Sequence, residues 1–217
     1  MSYLSGIYIN NFRNFDELNV SLSPGIQVLL GPNGAGKTSI MEAVYYLSLL
    51  RSFRTHRTQN LTKNGTDTFH VAGNVIRPWR SEGVDFPTRL EVQFCQGKRR
   101  YYVDRVQVGK ASEYVNKFIC TAFVPEDLRI IKGGPAERRQ YVNVLLSQLN
   151  PDYLYHLQRY RYGIMARNAA LQEIEKYGEK VVRSYDEILA QHGSTIVRER
   201  WKLVERLDEL LKYYFET

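Results

Sequence analysis

The sequence has few of the residues that hold disulfide-rich or metal-stabilised proteins together. Its 217 residues include only two cysteines, Cys95 and Cys120, which stand far apart and form no C-x-x-C pair. We therefore expect two buried thiols of a cytosolic protein and no disulfide. The four histidines are scattered and show none of the spacings that zinc ligands share, so we expect no zinc site.

Long hydrophobic runs are also missing. No apolar stretch approaches the roughly 18 to 20 residues that a helix needs to span a bilayer, and the polar N-terminal region is unlike a signal peptide. The sequence contains no internal repeats and no low-complexity linker. With 43% hydrophobic and 24% charged residues, it has the composition of a globular protein. We predict a cytoplasmic protein with no membrane partner.

Acidic residues are outnumbered, and the excess of positive charge is confined to one part of the chain. The formal net charge is +7; residues 1–150 hold 19 basic and 12 acidic residues, whereas residues 151–217 hold 11 of each. Such an excess favours a polyanionic partner, either a nucleotide or nucleic acid. Ordinary solvated surface charge is the alternative. Within two basic clusters, the candidate DNA contacts are Arg54, Arg57, Lys98, Arg99 and Arg100.

The stretch 31–38, GPNGAGKT, fits the phosphate-binding pattern G-x-x-x-x-G-K-[ST]. It follows an apolar run, 26–30, that is predicted to be a buried strand, and it precedes a predicted helix over residues 40–50. In such a loop, backbone N–H groups surround phosphate oxygens, Lys37 reaches the β- and γ-phosphates, and Thr38 binds Mg²⁺. A simple Gly-rich turn before a helix is the alternative, but it does not require both flanks to fit. The predicted ATP site comprises Asn33, Gly34, Ala35, Gly36, Lys37, Thr38 and Ser39.

Alternating apolar residues predict antiparallel strands on both sides of this loop. Residues 3–10 and 17–22 predict a hairpin before the loop, which favours a larger ATPase head of the ABC type over a small kinase. After the loop helix, a meander of strands is predicted over residues 69–76, 88–94, 99–103 and 105–108.

One further apolar run, 118–124, ends in Pro125, Glu126 and Asp127. It is either a buried strand whose acids hold Mg²⁺, as in a Walker B site, or a segment whose acids cap a new helical turn. Pro125 favours the second interpretation because proline breaks a strand.

Helices are predicted for the C-terminal part. One begins at Pro135 and ends near residue 149, and apolar residues from 151 onward recur at steps of three and four. This pattern predicts two long amphipathic helices with a break near 177–178, packed as an antiparallel hairpin. We divide the chain into a P-loop head, 1–134, and a helical arm, 135–217, that is expected to be incomplete.

Four blocks of sequence together resemble one family. They are INNFRNF near the N-terminus, GPNGAGKT with the LLRSFRT that follows it, FVPEDLRIIKGGPAERRQYVN, and ARNAAL in the first long helix. Over residues 3–215 the chain resembles the RecF family, recombination-mediator ATPases of the ABC/SMC class. The resemblance implies an α/β fold: an ABC/SMC-like P-loop ATPase head, with a mixed sheet around the P-loop helix and an antiparallel meander, plus a helical arm.

The resemblance also implies a function in DNA repair and replication-fork recovery. It implies ATP and Mg²⁺ as cofactors, an ATP-dependent homodimer, DNA as single strand, duplex or gapped junction, and partners of the RecO and RecR type. In SMC-like ATPases, polar residues of the N-terminal block contact the phosphates, which by resemblance indicates Arg13 and Asn14 beside Asn33. Arg54 is implied to approach the phosphates as well. A surface ion pair is the alternative for Arg13.

The family pattern is incomplete in this sequence. After residue 149 there is no signature motif, no clear Walker B strand with its catalytic acid, and no switch residue. ABC ATPases hydrolyse ATP when the signature motif of one subunit completes the P-loop site of the other. We therefore expect an N-terminal fragment that binds ATP with little hydrolysis and leaves some apolar surface uncovered.

Two other functions remain open. A self-contained P-loop kinase would use Glu126 or Asp127 and would turn over substrate as it stands. A protein-interaction arm, with a P-loop that only stabilises the fold, would bind a partner even after Lys37→Ala.

Overall fold

The structure, a computed structural model, describes residues 2–78 and 85–216. The chain divides into two compact units between Leu128 and Arg129. The first unit holds the sheet and the P-loop, and the second holds the long helices. The predicted boundary, between residues 134 and 135, lies six residues further along the chain. None of the described helices has the length and apolar character needed to cross a membrane.

Six strands form one sheet in the first unit, in the order β2-β1-β3-β4-β5-β6. Their bounds are Tyr3–Phe12 (β1), Phe15–Ser21 (β2), Thr68–Pro78 (β3), Asp85–Cys95 (β4), Lys98–Val103 (β5) and Val106–Val108 (β6). The predicted hairpin and the predicted meander are confirmed. Every pairing among the described strands is antiparallel, so the mixed part of the expected sheet does not appear there.

The predicted strand over residues 26–30 is wrong. This segment is irregular, and Ile26, Val28 and Leu30 are 93%, 70% and 87% exposed. A strand needs a neighbour to pair its backbone N–H and C=O groups, and none of the described strands pairs with this segment. The side chains of Ile26, Val28 and Leu30 are thus exposed instead of buried in a sheet.

Helix α1, Lys37–Leu49, packs on one face of the sheet. Its Leu47 is fully buried and lies against Gly73 of β3, where a Cβ atom would come within 2.6 Å of the leucine Cδ2. Aromatic rings of Phe12, Tyr46 and Phe69 meet edge to face or tilted around the same helix. Close packing of this kind fixes the helix on the sheet, and with it the loop that precedes the helix.

The apolar run 118–124 forms no strand, so the Walker B interpretation is wrong. Asp127 Oδ2 instead accepts a hydrogen bond of 2.9 Å from the backbone N–H of Val124 and caps the 3-10 turn Pro125–Leu128. The capping interpretation is confirmed.

Of the two cysteines, neither is in a disulfide, and burial raises the pKa of the Cys120 thiol to about 11. Cys95 is exposed at the end of β4, so its predicted burial is wrong.

The second unit is helical. The short helix Ala111–Tyr114 (α2) still belongs to the first unit. The second unit begins with the short helix Arg129–Lys132 (α3), followed by the long helices Pro135–Leu149 (α4), Pro151–Gln172 (α5) and Ile174–Phe215 (α6). Helices α5 and α6 pack as the predicted antiparallel hairpin around Tyr153, Leu157 and Ile196. The predicted break spreads over residues 173–178, because α5 ends at Gln172 and Gly178 has non-helical angles (φ 76°, ψ 160°).

Candidate nucleotide-binding cleft

A cleft of about 720 Å³ lies at the N-terminal end of α1, within the first unit. Three segments converge on it: the turn between β1 and β2, the P-loop, and residues 54–64. Four of the residues that line it are basic and none is acidic, so the cleft suits a polyanion. Its lining consists of Arg13, Asn14, Asn33, Gly34, Gly36, Lys37, Thr38, Ser39, Arg54, Asn60, Thr62, Lys63 and Asn64.

Glycines give the P-loop its shape. Gly34 and Gly36 have φ values of 84° and 95°, in the left-handed region that other residues adopt only with strain. Gly36 also stands against the β1–β2 turn, since a Cβ atom there would lie 2.4 Å from Phe15 Cζ and 2.7 Å from Asn14 Nδ2. The turn therefore packs directly on the loop.

The register of the hairpin explains how the turn reaches the cleft. Phe12 pairs with Phe15, which leaves Arg13 and Asn14 alone at the tip between the two strands. Arg13 has a φ of 57°, a left-handed conformation that helps to close so tight a turn. Both predicted phosphate-contacting residues of the N-terminal block are thus brought beside the P-loop.

Lys37 bends back over the loop in which it lies. Its Nζ donates hydrogen bonds of 2.7 Å to the Gly31 carbonyl and 2.8 Å to the Pro32 carbonyl. The first backbone bond at this end of α1 runs from the Ile40 N–H to the Gly36 carbonyl. The N–H groups of residues 37–39 precede that bond, and such groups at a helix N-terminus favour an anion.

A buried carboxylate beneath the cleft was missed by reasoning from the sequence. Glu42, on the second turn of α1, is 0% exposed and accepts hydrogen bonds from Arg13 Nε at 2.8 Å and Arg13 Nη2 at 2.7 Å. Arg13 Nη1 donates to the Asn60 carbonyl at 2.7 Å. The one sign of its burial in the sequence was its position on α1, because Glu42 lies on the helix face that carries the buried apolar residues Ala43 and Tyr46.

Most predicted nucleotide-site residues line this one cleft: Arg13, Asn14, Asn33, Gly34, Gly36, Lys37, Thr38, Ser39 and Arg54. Ala35 belongs to the same loop, where its N–H donates to the Pro32 carbonyl at 3.3 Å, but it does not line the cleft. Asn60, Thr62, Lys63 and Asn64 were missed because they lie in a polar stretch that carries no periodic pattern.

The other candidate DNA contacts lie outside the cleft, and the structure separates two of them. Arg99 Nη1 donates to the carbonyl of Leu50 at the C-terminal end of α1 at 3.2 Å. Arg100 is exposed and pairs across the strands with Gln93. Because successive strand residues point to opposite faces, Lys98 and Arg100 share one face and Arg99 lies on the other. Arg57 is exposed in the segment after α1.

Residues 3–126 match the family model described as the RecF/RecN/SMC N-terminal domain. This chain belongs to that family. It is 34% identical over 209 residues to the DNA replication and repair protein RecF of Lacticaseibacillus casei and 34% identical over 207 residues to that of Streptococcus thermophilus. Each match covers 95% of this chain and 55% of the relative. The chain thus spans about half the length of the curated relatives it matches.

Solved structures of RecF share this fold. The recombination mediator protein RecF, described as RecF-ATP in the RecFOR pathway, matches with a TM-score of 0.86 at 30% identity. A second RecF structure, described as RecF-ATPrS, matches with a TM-score of 0.84 at 30% identity. Each match covers 95% of this chain and 55% of the other. The predicted fold class, an α/β P-loop ATPase head of the ABC/SMC type, and the resemblance to the N-terminal part of RecF are confirmed.

Proposed function

We propose that this chain is the nucleotide-binding part of an ATP-dependent DNA-binding protein of recombinational repair and replication-fork recovery. The observation that carries the proposal is the cleft itself, where the P-loop, the N-terminus of α1 and four basic residues converge and none of the lining residues is acidic. The likeness to proteins named for DNA replication and repair, and to a RecF structure described with ATP, supports it.

The residues of the cleft fit ATP with Mg²⁺. The left-handed turns at Gly34 and Gly36 let backbone N–H groups of the loop face phosphate oxygens, and Lys37 would neutralise phosphate charge. Thr38 would supply an oxygen ligand to Mg²⁺, which keeps several water and phosphate ligands in such sites. The amides of Asn14 and Asn33 would donate to phosphate oxygens. Bound ATP would supply the γ-phosphate that holds a closed, dimeric state.

We expect this chain to bind ATP with little hydrolysis of its own. None of the residues that line the cleft is a carboxylate that could activate a nucleophile. Glu126 and Asp127 lie on the capped turn outside this lining, and Asp127 is already engaged by the Val124 N–H. These positions give the kinase alternative little support.

We also infer DNA binding and assembly, which the likeness to RecF supports. ATP-dependent homodimerisation and partners of the RecO and RecR type are part of the proposal. Lys98 and Arg100 on one face of the sheet, with Arg54 and Arg57 after α1, are the candidate phosphate-backbone contacts. Contacts of this kind depend strongly on salt and weakly on base sequence.

Calorimetric binding of Mg-ATP, followed by single-turnover hydrolysis, tests the nucleotide part of the proposal. Lys37→Ala should weaken ATP binding at least tenfold, about 1.4 kcal/mol, with little change in thermal stability. Lys180→Ala is the matched control, since that lysine is exposed on α6 and belongs to the other unit. Affinity within threefold of the wild type in the Lys37 variant would refute the proposal, and Lys37-dependent hydrolysis would favour the free-standing enzyme.

A further inference from the structure

Glu42 is a charged group in a place where charge is costly. Its side chain is 0% exposed, and an unpaired carboxylate at such a site costs several kcal/mol, so buried acids are retained only with partners. The basic side chains that pair with this carboxylate also belong to the nucleotide cleft. Arg13 and Arg54, the two arginines that contact it, both line the nucleotide cleft.

The two arginines are held differently. The guanidinium plane of Arg13 is fixed by a fork of two bonds to Glu42 and a third bond to the Asn60 carbonyl. Arg54 Nη1 lies 3.6 Å from Glu42 Oε2, and its side chain is 44% exposed. The contact between Glu42 and Arg54 is therefore longer and closer to solvent, which leaves Arg54 more able to meet a ligand.

Ser52 joins the carboxylate to the backbone of the segment after α1. Its Oγ donates a hydrogen bond to Glu42 Oε1, and the same Oγ accepts the backbone N–H of Arg54 at 2.8 Å and of Thr55 at 3.1 Å. Ser52 is itself buried. Glu42 is thus linked to Arg54 in two ways. It contacts the Arg54 guanidinium directly, and it is hydrogen-bonded to Ser52, whose hydroxyl accepts the backbone N–H of Arg54.

We propose that Glu42 is a positioning residue of the nucleotide cleft, which acts by holding Arg13 and Arg54 at the phosphate end. The inference rests on the proposed binding of ATP. It assigns a binding role to a residue that touches no ligand itself, because its buried charge orders two cationic groups that do line the cleft. An acid with a purely structural role would stabilise the fold and leave the ATP affinity of the folded protein unchanged.

A double-mutant cycle on ATP affinity separates these two roles. Arg54→Ala should weaken Mg-ATP binding about tenfold in the wild type, and Glu42→Gln should weaken it at least as much. In the Glu42→Gln background, Arg54→Ala should cost less than threefold, because the arginine is no longer held. Full additivity, about a hundredfold loss in the double variant, would overturn the proposal. So would a Glu42→Gln variant of lowered melting temperature and unchanged ATP affinity.

Ser52→Ala tests the same idea if Glu42→Gln does not fold. It keeps the buried carboxylate and its fork with Arg13, and removes only the hydroxyl that links Glu42 to the following segment. ATP affinity should fall threefold to tenfold, and Arg54→Ala should again cost less in this background than in the wild type. Ser147→Ala, a buried serine of the second unit, is the control. Unchanged affinity in Ser52→Ala together with full additivity would overturn the positioning role.

Lys37→Ala, measured in the same assay, distinguishes failure of the proposed ATP binding from failure of the positioning role alone. If Lys37→Ala leaves ATP affinity unchanged, the proposed nucleotide binding fails and the positioning role fails with it. If Lys37→Ala abolishes binding while Glu42 and Arg54 behave additively, only the positioning role fails.

Discussion

Gly36 carries two separate constraints, and replacing it should reveal both. Gly36→Ala places a Cβ atom on a residue whose φ is 95°, and it directs that atom into the β1–β2 turn, 2.4 Å from Phe15 Cζ and 2.7 Å from Asn14 Nδ2. Gly34→Ala imposes only the first constraint. Its φ is 84°, and no heavy atom lies within 4 Å of the added methyl group.

The expected magnitudes follow from these two terms. A left-handed conformation costs an L-residue about 1–2 kcal/mol. An extra methyl group costs about 1–3 kcal/mol in a packed core, and the cost here is at the low end because the ends of the Phe15 and Asn14 side chains can move. The lower entropy of the unfolded chain offsets about 0.4–1 kcal/mol in both variants and cancels in their difference. Gly36→Ala should therefore destabilise the first unit by about 1 kcal/mol more than Gly34→Ala.

Hydrogen exchange in peptides from β1 and α1 is the suitable assay, because it reports the opening free energy of the first unit without assuming that both units unfold together. The two variants differ by two positions in the same loop, so each serves as the control for the other. Equal protection in Gly34→Ala and Gly36→Ala would refute the reasoning, since it would mean that the β1–β2 turn does not press on the loop.

Two further predictions concern charge. Arg100→Glu should lower DNA affinity in fluorescence anisotropy and flatten the salt dependence of that affinity. Arg99→Glu should mainly lower thermal stability, because Arg99 donates a hydrogen bond to the C-terminal end of α1. Unchanged DNA affinity in Arg100→Glu would assign that residue to ordinary surface. In the second unit, burial and then the nearby His156 and Arg159 lower the pKa of His192. Its contribution to stability should therefore be complete above about pH 6.5, where the unfolded side chain is neutral, and should fall as the pH drops below that value. Urea unfolding over this range should show a flatter pH profile in His192→Gln, and an equally steep profile would contradict the assignment.

The local parts of this fold were readable from the sequence. Alternation over β1, β3 and β4, and steps of three and four in α5 and α6, depend only on neighbours along the chain, so the patterns predicted these elements. The P-loop was equally readable, because the left-handed turns at Gly34 and Gly36 are a property of those residues themselves.

Errors arose where the outcome depends on distant partners. The apolar run 26–30 has the composition of a strand, but backbone pairing requires a second strand, and none of the described strands pairs with it. The run 118–124 is a different case, because Asp127 caps it from only three residues away and Pro125 already favoured this interpretation in the sequence.

The sequence by itself determined that a phosphate-binding loop stands before a helix in a chain rich in positive charge. Only the tertiary structure decided what surrounds that loop. It brought Arg13 and Arg54 together on the buried Glu42, and it placed the Arg99 guanidinium against the carbonyl of Leu50 at the end of α1. The physical reason is that such contacts depend on three-dimensional neighbours: Arg13 and Glu42 are 29 residues apart in the sequence, and Arg99 and Leu50 are 49 apart.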